Sequence, residues 1–373
     1  MNLAHRIRDF IASLRVPLTH LRGVARHSGH QVSIVCATGD KSTSYIANLL
    51  LKPGYERESL GHSWIWTVTG CAKRRAPHAQ LLLVEVGGRK LSLFDRECFR
   101  IPVWVKSEIH LPVPQRLSKR KTYREDARKI QEAGFHYEVS SDPEQLTGFY
   151  HDMYVPLVSR SHGASAVVRS SSNLFAGPTR YELLLVKQND AVVAGLVISY
   201  EPDAPRLHML GVQGGDRHLI KQGALVACYI FALEHLQNAG YQKINAGSSR
   251  AFINDGVLTY KRKFGQRLVD HYPVYFVLKI MRHNDQTNAL LQGLPVVCEM
   301  EGELHSLVFT DTEQLAELQR SPRKRSRFFI DGTVSLTACV LGGSGRQANV
   351  GTMARQRQSS GPSLPLVVLE RAT

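Results

Sequence analysis

The sequence predicts an α+β protein: a mixed sheet flanked by helices, arranged in two lobes and followed by a tail without regular structure. Three observations carry this expectation. At 373 residues the chain exceeds what one core usually encloses, so two packed lobes, or one domain with appendages, are expected. Three consecutive strand patterns, RYELLLVKQ, AVVAGLVISYE and RLHMLGVQ, are separated only by an Asn189-Asp190 turn and the segment PDAP, which gives an antiparallel meander. The last strand leads through the loop GGDRHLIKQ into a nearly all-apolar helical run, GALVACYIFALEHLQNA, stopped at Gly240 and followed by another strand, YQKINAG. Such a crossover makes its two strands parallel and sets the helix start beside their ends.

The remaining elements are read in chain order. MNLAHRIRDFIASLRVPLTHLRG alternates Arg with apolar residues at near-helical spacing, so residues 1–25 are expected to form a basic helix, an ordinary leading helix or one that touches a membrane surface, and not a secretory signal. Residues 26–115 form the first lobe: a strand QVSIVCA, a helix STSYIANLLL, strands HSWIWTVT and AQLLLVEV, a turn in VGGRKLSLFDRECF, and a proline-bearing connection IPVWVKSEIHLPVPQ. The second lobe, 116–281, opens with the helix KTYREDARKIQEAGF, whose Tyr123, Ala127, Ile130 and Ala133 share a face and whose Gly134 is placed to cap it. After the strand HYEVS, a helix begins at Ser141 or Asp142 with Pro143 in its first turn and ends in a polar loop, SRSHGASAVVRSSS, carrying Arg160 and His162. Residues 282–342 read as an extension with a hairpin, PVVCEMEGELHSLVFT, and a short helix, DTEQLAELQR. From 343 to 373 Gly, Ser, Gln and Arg recur without periodicity, the signature of a disordered tail.

Composition narrows the function classes. A hydrophobic fraction of 43% with 21% charged residues excludes collagen-like and wholly disordered chains. The net charge of +15 points to anionic partners: nucleic acid, phosphorylated substrates, CoA or an acidic membrane face. The six cysteines, Cys36, Cys71, Cys98, Cys228, Cys298 and Cys339, are scattered without a C-x-x-C pair, and several lie in apolar runs, so they are expected as buried free thiols. Only His27 and His30 approach ligand spacing, and no metal is assigned. The longest apolar run, GALVACYIFAL, is far below the roughly 20 residues of a membrane span; a soluble, cytoplasmic protein is expected.

Two stretches could carry chemistry. In the loop before the apolar helix, Gly214 and Gly215 permit a tight turn, and Lys221, Gln222, Gly223 and Ala224 sit where free N–H groups and the positive end of the dipole would be exposed. A pyrophosphate fits there, and so does the plain reading that a crossover needs small residues where its helix starts. Neither G-x-G-x-x-G nor a Walker pattern is present, which disfavours a dinucleotide or nucleoside triphosphate site. The second stretch is NAGSSRAFINDGVLTYKRKFGQ: Ser248 and Ser249 follow a strand end, Asp255 and Gly256 make a turn or helix start, and Tyr260 and Phe264 face the same way on a helix. Lys261 and Arg262 then point away from the aromatic side, towards solvent or a cleft, and a solvated basic face is the alternative to a binding role.

Over residues 120–281 the order of these parts resembles the GNAT-superfamily acyltransferases, in particular the branch related to FemAB-type peptidoglycan aminoacyltransferases and cellulose-biosynthesis-type acetyltransferases. DGVLTYKRKFG resembles that branch's DG…(F/Y)K…FG signature, RKIQEAGF its lead-in helix, and HLIKQGAL keeps only the Gly-Ala of the GNAT (Q/R)-x-x-G-x-(G/A) pattern. The resemblance implies a GNAT-like fold, and it allows the first lobe to be a degenerate second copy. It implies acetyl-CoA or another acyl-CoA held by Gly214, Gly215, Lys221, Gln222, Gly223 and Ala224. By the same carry-over, Asp255 is the base, Tyr260 the acid and Lys261 a charge clamp, with Ser248, Ser249 and Arg262 contacting the acceptor; Arg160 and His162 join them if their loop reaches the same side of the sheet, and are otherwise an exposed loop without a role.

Three functions follow. The first is transfer of an acyl group, acetyl above all, from acyl-CoA to an amine or hydroxyl of a saccharide or cell-envelope precursor. The second is FemAB-type transfer from aminoacyl-tRNA, and the third a non-catalytic nucleic-acid or membrane-surface module. SPRKRSRF favours the last, and the absence of RNP or KH signatures opposes an RNA module.

Overall fold

The computed structural model describes residues 14–94, 98–114, 117, 121–162, 175, 178–341, 354–357 and 366–370. Its first part runs β1 (Arg15–Val24), β2 (Gln31–Ala37), α1 (Asp40–Leu50), β3 (Glu56–Trp64), α2 (Val68–Arg75), β4 (Leu81–Gly87), β5 (Phe99–Pro102) and β6 (Val105–His110). The middle part comprises α3 (Lys121–Glu132), β7 (His136–Ser140), α4 (Pro143–Phe149), α5 (Val155–His162), β8 (Arg180–Gln188), β9 (Ala191–Tyr200), β10 (Pro205–Val212), α6 (Arg217–Gln222), α7 (Ala224–Asn238), β11 (Lys243–Ser249), α8 (Gly256–Arg262) and β12 (Arg267–His271). It closes with β13 (Val274–Ile280), α9 (Asp285–Gln292), β14 (Val296–Met300), β15 (Glu303–Thr310), α10 (Thr312–Arg320), α11 (Pro322–Phe328), β16 (Leu336–Val340), β17 (Ala354–Arg357) and β18 (Leu366–Glu370). The predicted α+β class, with mixed sheets flanked by helices, is what the chain forms.

Two compact units emerge. The central unit is Lys106–Ser248 with Tyr260–Val269; the terminal unit is Met1–Val105, Ser249–Thr259 and Asp270–Thr373. In the central unit, seven strands lie in the order β12-β6-β11-β10-β9-β8-β7. The meander is antiparallel through β7, β8, β9 and β10, and Asn189 and Asp190 make its tight turn with φ of 48° and 65°. Leu184, Val186, Leu196 and Ile198 bury one face of this sheet with α7, and Leu183, Leu185, Val197 and Met209 bury the other with Leu146, Phe149 and Met153. Asp142 caps α4 by accepting from the Glu144 amide, as the Ser-Asp-Pro start predicts.

The terminal unit holds an eleven-stranded sheet, β17-β18-β16-β15-β14-β5-β13-β4-β2-β1-β3. The predicted hairpin PVVCEM/ELHSLVFT is the antiparallel pair β14–β15. Of the tail, 354–357 and 366–370 are described, as two antiparallel strands of which β18 lies parallel to β16.

Three expectations need correction. The helix expected over 1–25 lies outside the described residues up to 13, and Arg15–Val24 is a strand. Hydrogen bonding to β2 on one side and β3 on the other settles it as β1 despite the helical spacing of its arginines. HSWIWTVT is strand only to Trp64; Ile65–Thr67 is a 3₁₀ turn and Val68 opens α2. The connection IPVWVKSEIHLPVPQ contains β5 and β6, its alternating Val105, Ser107 and Ile109 being buried where β6 lies between β12 and β11. The prolines that suggested a linker flank these strands.

Candidate active site

The crossover into α7 does not make an ordinary parallel ladder. β10 and β11 are paired at one register only, Arg206 with Asn245, close to the start of each strand. Beyond that point no ladder pair joins them, and the facing edges of their C-terminal halves form an unpaired wedge. The cause lies in β11. Gly247 takes φ of +71°, a left-handed conformation that costs other residues about 1–2 kcal/mol. The Asn245 side chain fixes this kink by accepting from the Gly247 amide at 2.8 Å, and Asn245 Nδ2 donates to Glu201 Oε2 at 3.1 Å. Glu201 in turn accepts from Arg206 Nη1 at 3.2 Å, and Ser107 Oγ donates to the Gly247 carbonyl at 3.1 Å.

On its other edge β10 is irregular as well. Its register with β9 shifts between Leu207 and Met209, so His208 forms a bulge, the device by which a strand bends and changes its twist. A π turn over Tyr150–Tyr154 joins α4 to α5 and presses on β10. A Cβ at Gly211 would lie 2.8 Å from Met153 and from the Tyr154 amide, so only glycine fits there.

The stretch YKRKFG packs on α7 and reaches the end of β11. Tyr260 and Phe264 share a face, as their spacing predicts, and both pack on Tyr229, at 5.0 Å edge-on and 4.9 Å stacked. The Tyr260 hydroxyl donates to the Leu225 carbonyl in the first turn of α7 at 3.0 Å. Burial, and after it the Tyr229 and Cys228 groups, push this phenol well above its ordinary range, so it stays protonated. Gly265, at φ +79°, ends the turn.

Lys261 departs from expectation: it is 5% exposed, and its Nζ donates to the Ser248 carbonyl at 2.9 Å. It runs inwards to the end of β11 because the turn after α8 is held at Tyr229 by its aromatics. Arg262 is half-buried. Lys263 pairs with Asp126 of α3 at 3.2 Å.

The loop before α7 also differs in detail. Gly214 and Gly215 have φ of 56° and 65°, the tight turn that was expected. Lys221 and Gln222, however, lie inside the separate short helix α6, so their amides do not form an exposed helix start. Gly223, at φ +100°, ends α6 and precedes α7, and its N–H donates to the Ile220 carbonyl at 3.1 Å. The open amides at the α7 start are therefore those from Ala224 onwards. Arg160 lies on α5 and not in a loop, with Nη1 donating to the Gly215 carbonyl at 3.1 Å; it steadies the glycine turn. Residue 162 ends the same helix, and the loop 163–174 lies outside the described residues.

Asp255 belongs to the terminal unit. Its Oδ1 caps α8 by accepting from the Val257 and Leu258 amides at 2.9 and 3.1 Å, and its Oδ2 accepts from the Tyr45 hydroxyl at 3.0 Å. With both oxygens engaged it serves as a helix cap. Ser249, also of this unit, is 1% exposed with no partner for its Oγ among the described residues. Next to it, the Arg250 guanidinium lies 4.0 Å from Trp104, 4.8 Å from Tyr45 and 5.8 Å from Phe276. Burial lowers its pKa. Sequence reading missed this box because its four members lie far apart in the chain.

The described cysteines are free, and all but the half-buried Cys98 are buried; burial raises Cys36 to about 12. Among the described residues no His, Cys, Asp and Glu cluster could hold a metal, and no helix is long and apolar enough to cross a membrane.

No family model and no curated protein matches the chain. Solved structures that resemble it include FemX, 12% identical over 66% of this chain and 80% of that one, with a TM-score of 0.35. L-PGS from Bacillus licheniformis is 10% identical over 71% and 82%, at 0.34. A GCN5-related N-acetyltransferase from Anabaena variabilis is 11% identical over 84% and 77%, at 0.30. These structures include proteins of the families that the sequence resembles.

Proposed function

We propose that the central unit is a GNAT-type acyltransferase lobe that moves an acyl group, acetyl above all, from acyl-CoA to an amine or hydroxyl of a saccharide or cell-envelope precursor. The observation that carries this reading is the wedge between β10 and β11 with the first turn of α7 beside it. A thioester carbonyl entering the wedge meets the edge of β10 past Arg206, whose N–H groups polarise it as charge develops on oxygen. The phosphates of the donor lie at the amides from Ala224 onwards, where the helix dipole favours negative charge, with Lys221 and the Gly214-Gly215 turn lining their approach.

Transfer is direct. The acceptor attacks the carbonyl carbon and gives up its proton to water, the C–S bond breaks, and the leaving thiolate takes a proton; rate comes chiefly from holding both substrates in line. Tyr260, the acid the resemblance implies, is kept as that proton's donor: its neutral hydroxyl sits at the first turn of α7, and its hydrogen bond to the Leu225 carbonyl must open for it to act. Lys261 holds the end of β11 and places positive charge behind the wedge. No base is assigned, since Asp255 is occupied as a cap, and Ser248 and Arg262 remain the acceptor contacts of this reading.

The test is a thermal-shift and calorimetric titration with acetyl-CoA and CoA on the unaltered chain and on Gly223→Val. Saturable binding that the substitution weakens at least tenfold is expected, and a ligand bound only by the folded state raises the melting temperature. Absence of binding with steeply salt-dependent binding of aminoacyl-tRNA would replace acyl-CoA as donor. Absence of both would overturn the reading.

A further inference from the structure

A second surface, on the terminal unit, has a chemistry that donor binding does not use. At the end of β3 the indoles of Trp64 and Trp66 stack on each other, with centroids 5.1 Å apart and planes at 11°. They are 39% and 55% exposed, although tryptophan is normally well covered. Between them Ile65 is buried, as is Val68 just beyond, and both anchor the pair in the core formed by Leu82, Val84 and Ala72. The pair is therefore presented rigidly. Neither indole N–H has a hydrogen-bond partner among the described residues.

Along the chain the charge next to the pair has one sign. From residue 59 to 84 the sequence has no Asp or Glu. In that stretch α2 ends in Lys73, Arg74 and Arg75, all exposed. Arg75 bends back to donate to the Leu60 and His62 carbonyls at 2.6 and 3.1 Å, which brings the end of α2 to the strand that carries Trp64. Arg15 lies over the Trp64 ring at 5.8 Å. None of Lys73, Arg74 and Arg75 pairs with a carboxylate among the described residues.

We infer that Trp64, Trp66 and the Lys73–Arg75 cations form a docking surface for an anionic lipid membrane, entered by the indole edges. Exposed aromatic residues beside cations also suit single-stranded nucleic acid, where bases stack on ring faces. Here three of the four ring faces are taken: Trp64 and Trp66 cover one face of each other and Arg15 approaches the second face of Trp64, which leaves a single open face, too little for successive bases to stack. Amphipathic indoles with free N–H groups reside at the headgroup level of a bilayer, and nearby lysines and arginines add attraction to acidic headgroups. The surface needs no apolar span, and a contact of this kind is reversible and salt-sensitive.

The experiment uses the full chain. It has three tryptophans, so Trp104→Phe leaves Trp64 and Trp66 as the only indole emitters. Titration with vesicles containing about one-third phosphatidylglycerol is expected to shift their emission to the blue and to co-sediment the protein, while phosphatidylcholine vesicles do neither. Replacing Lys73, Arg74 and Arg75 together by Gln should weaken binding on the order of a hundredfold. In the chain that retains Trp104, Trp64→Ala with Trp66→Ala should abolish co-sedimentation, circular dichroism confirming the fold. No blue shift on acidic vesicles, binding that survives both sets of substitutions, or a response to a single-stranded oligoribonucleotide but not to vesicles would overturn the inference.

Discussion

The two units each contain a parallel strand pair with a helix start at its end, and the pairs behave oppositely. In the terminal unit β2 and β4 stay in register over four partners, from Ile34 with Leu81 to Ala37 with Val84. In the central unit β10 and β11 share one. SIVCA and LLLV are continuous apolar runs without glycine, and every residue of them but Ser33 is buried, as a two-sided parallel ladder requires. NAGSS instead carries Gly247 at φ +71° and an asparagine that fixes it there. A parallel pair stays closed unless the sequence supplies a residue able to leave the ladder and a side chain to hold it out. The closed pair has a cavity of about 440 Å³ at its end, lined by Gly39, Lys41, Ser42 and Glu85 among others. It is the natural competitor of the wedge for a donor.

Four substitutions would break or sharpen this contrast. Gly211→Ala has the largest expected effect: its Cβ would meet the backbone of Met153 and Tyr154 at 2.8 Å, and such overpacking costs about 1–3 kcal/mol or more. Urea unfolding followed in the central unit should show the loss, and an unchanged midpoint would contradict the packing of the π turn on β10. Gly247→Ala comes next. Its Cβ has room, with neighbours at 3.9 Å, so only the left-handed backbone resists, at about 1–2 kcal/mol. Relaxing β11 towards the ladder should remove acetyl-CoA binding while the protein stays folded; a folded variant with full affinity would dissociate the kink from the site.

Asn245→Ala should cost about 1 kcal/mol and weaken donor binding less than the glycine change does. Equal stability to the parent would show that Gly247 holds its conformation without help. The smallest effect is expected for Glu182→Gln. Burial alone would raise the Glu182 carboxyl, but hydrogen bonds from Tyr200, Arg180 and His235 outweigh it and hold the pKa below the ordinary value. A depressed carboxylate contributes stability above its unfolded pKa, about 4.3, and the contribution is lost as pH falls through the folded value. The Gln variant should therefore show a flatter acid limb in thermal unfolding and unaltered acetyl-CoA binding. An unchanged acid limb would mean the network contributes nothing.

Much of the central unit was legible in the sequence because its signals are local. Asp142-Pro143 announces α4, Asn189-Asp190 the hairpin, Gly134 and Gly240 the ends of α3 and α7, and Tyr260 with Phe264 one helical face. What escaped was set by contacts between distant residues. The arginines of RVPLTHLRGV suggested a helix, yet pairing with two strands overrides that spacing. Lys261 reads as a surface cation in any local window, and only the anchoring of the turn on Tyr229 turns it inwards. Asp255 was legible as a helix start, and it caps α8; the catalytic role came from the resemblance and not from its local pattern. The hydrogen-bonded series Arg206, Glu201, Asn245, Gly247 runs from residue 201 to residue 247, a stretch that only the crossover brings together.

The most direct test of the central claim is hydrogen–deuterium exchange of the full chain with and without saturating acetyl-CoA. If the open pair is the donor site, protection concentrates in the second half of β10, in 213–227 and at the end of β11, while 34–42 and 81–87 remain unchanged. Protection at 37–42 and around Glu85 with none at β10 and β11 would contradict the account and move the donor to the closed pair.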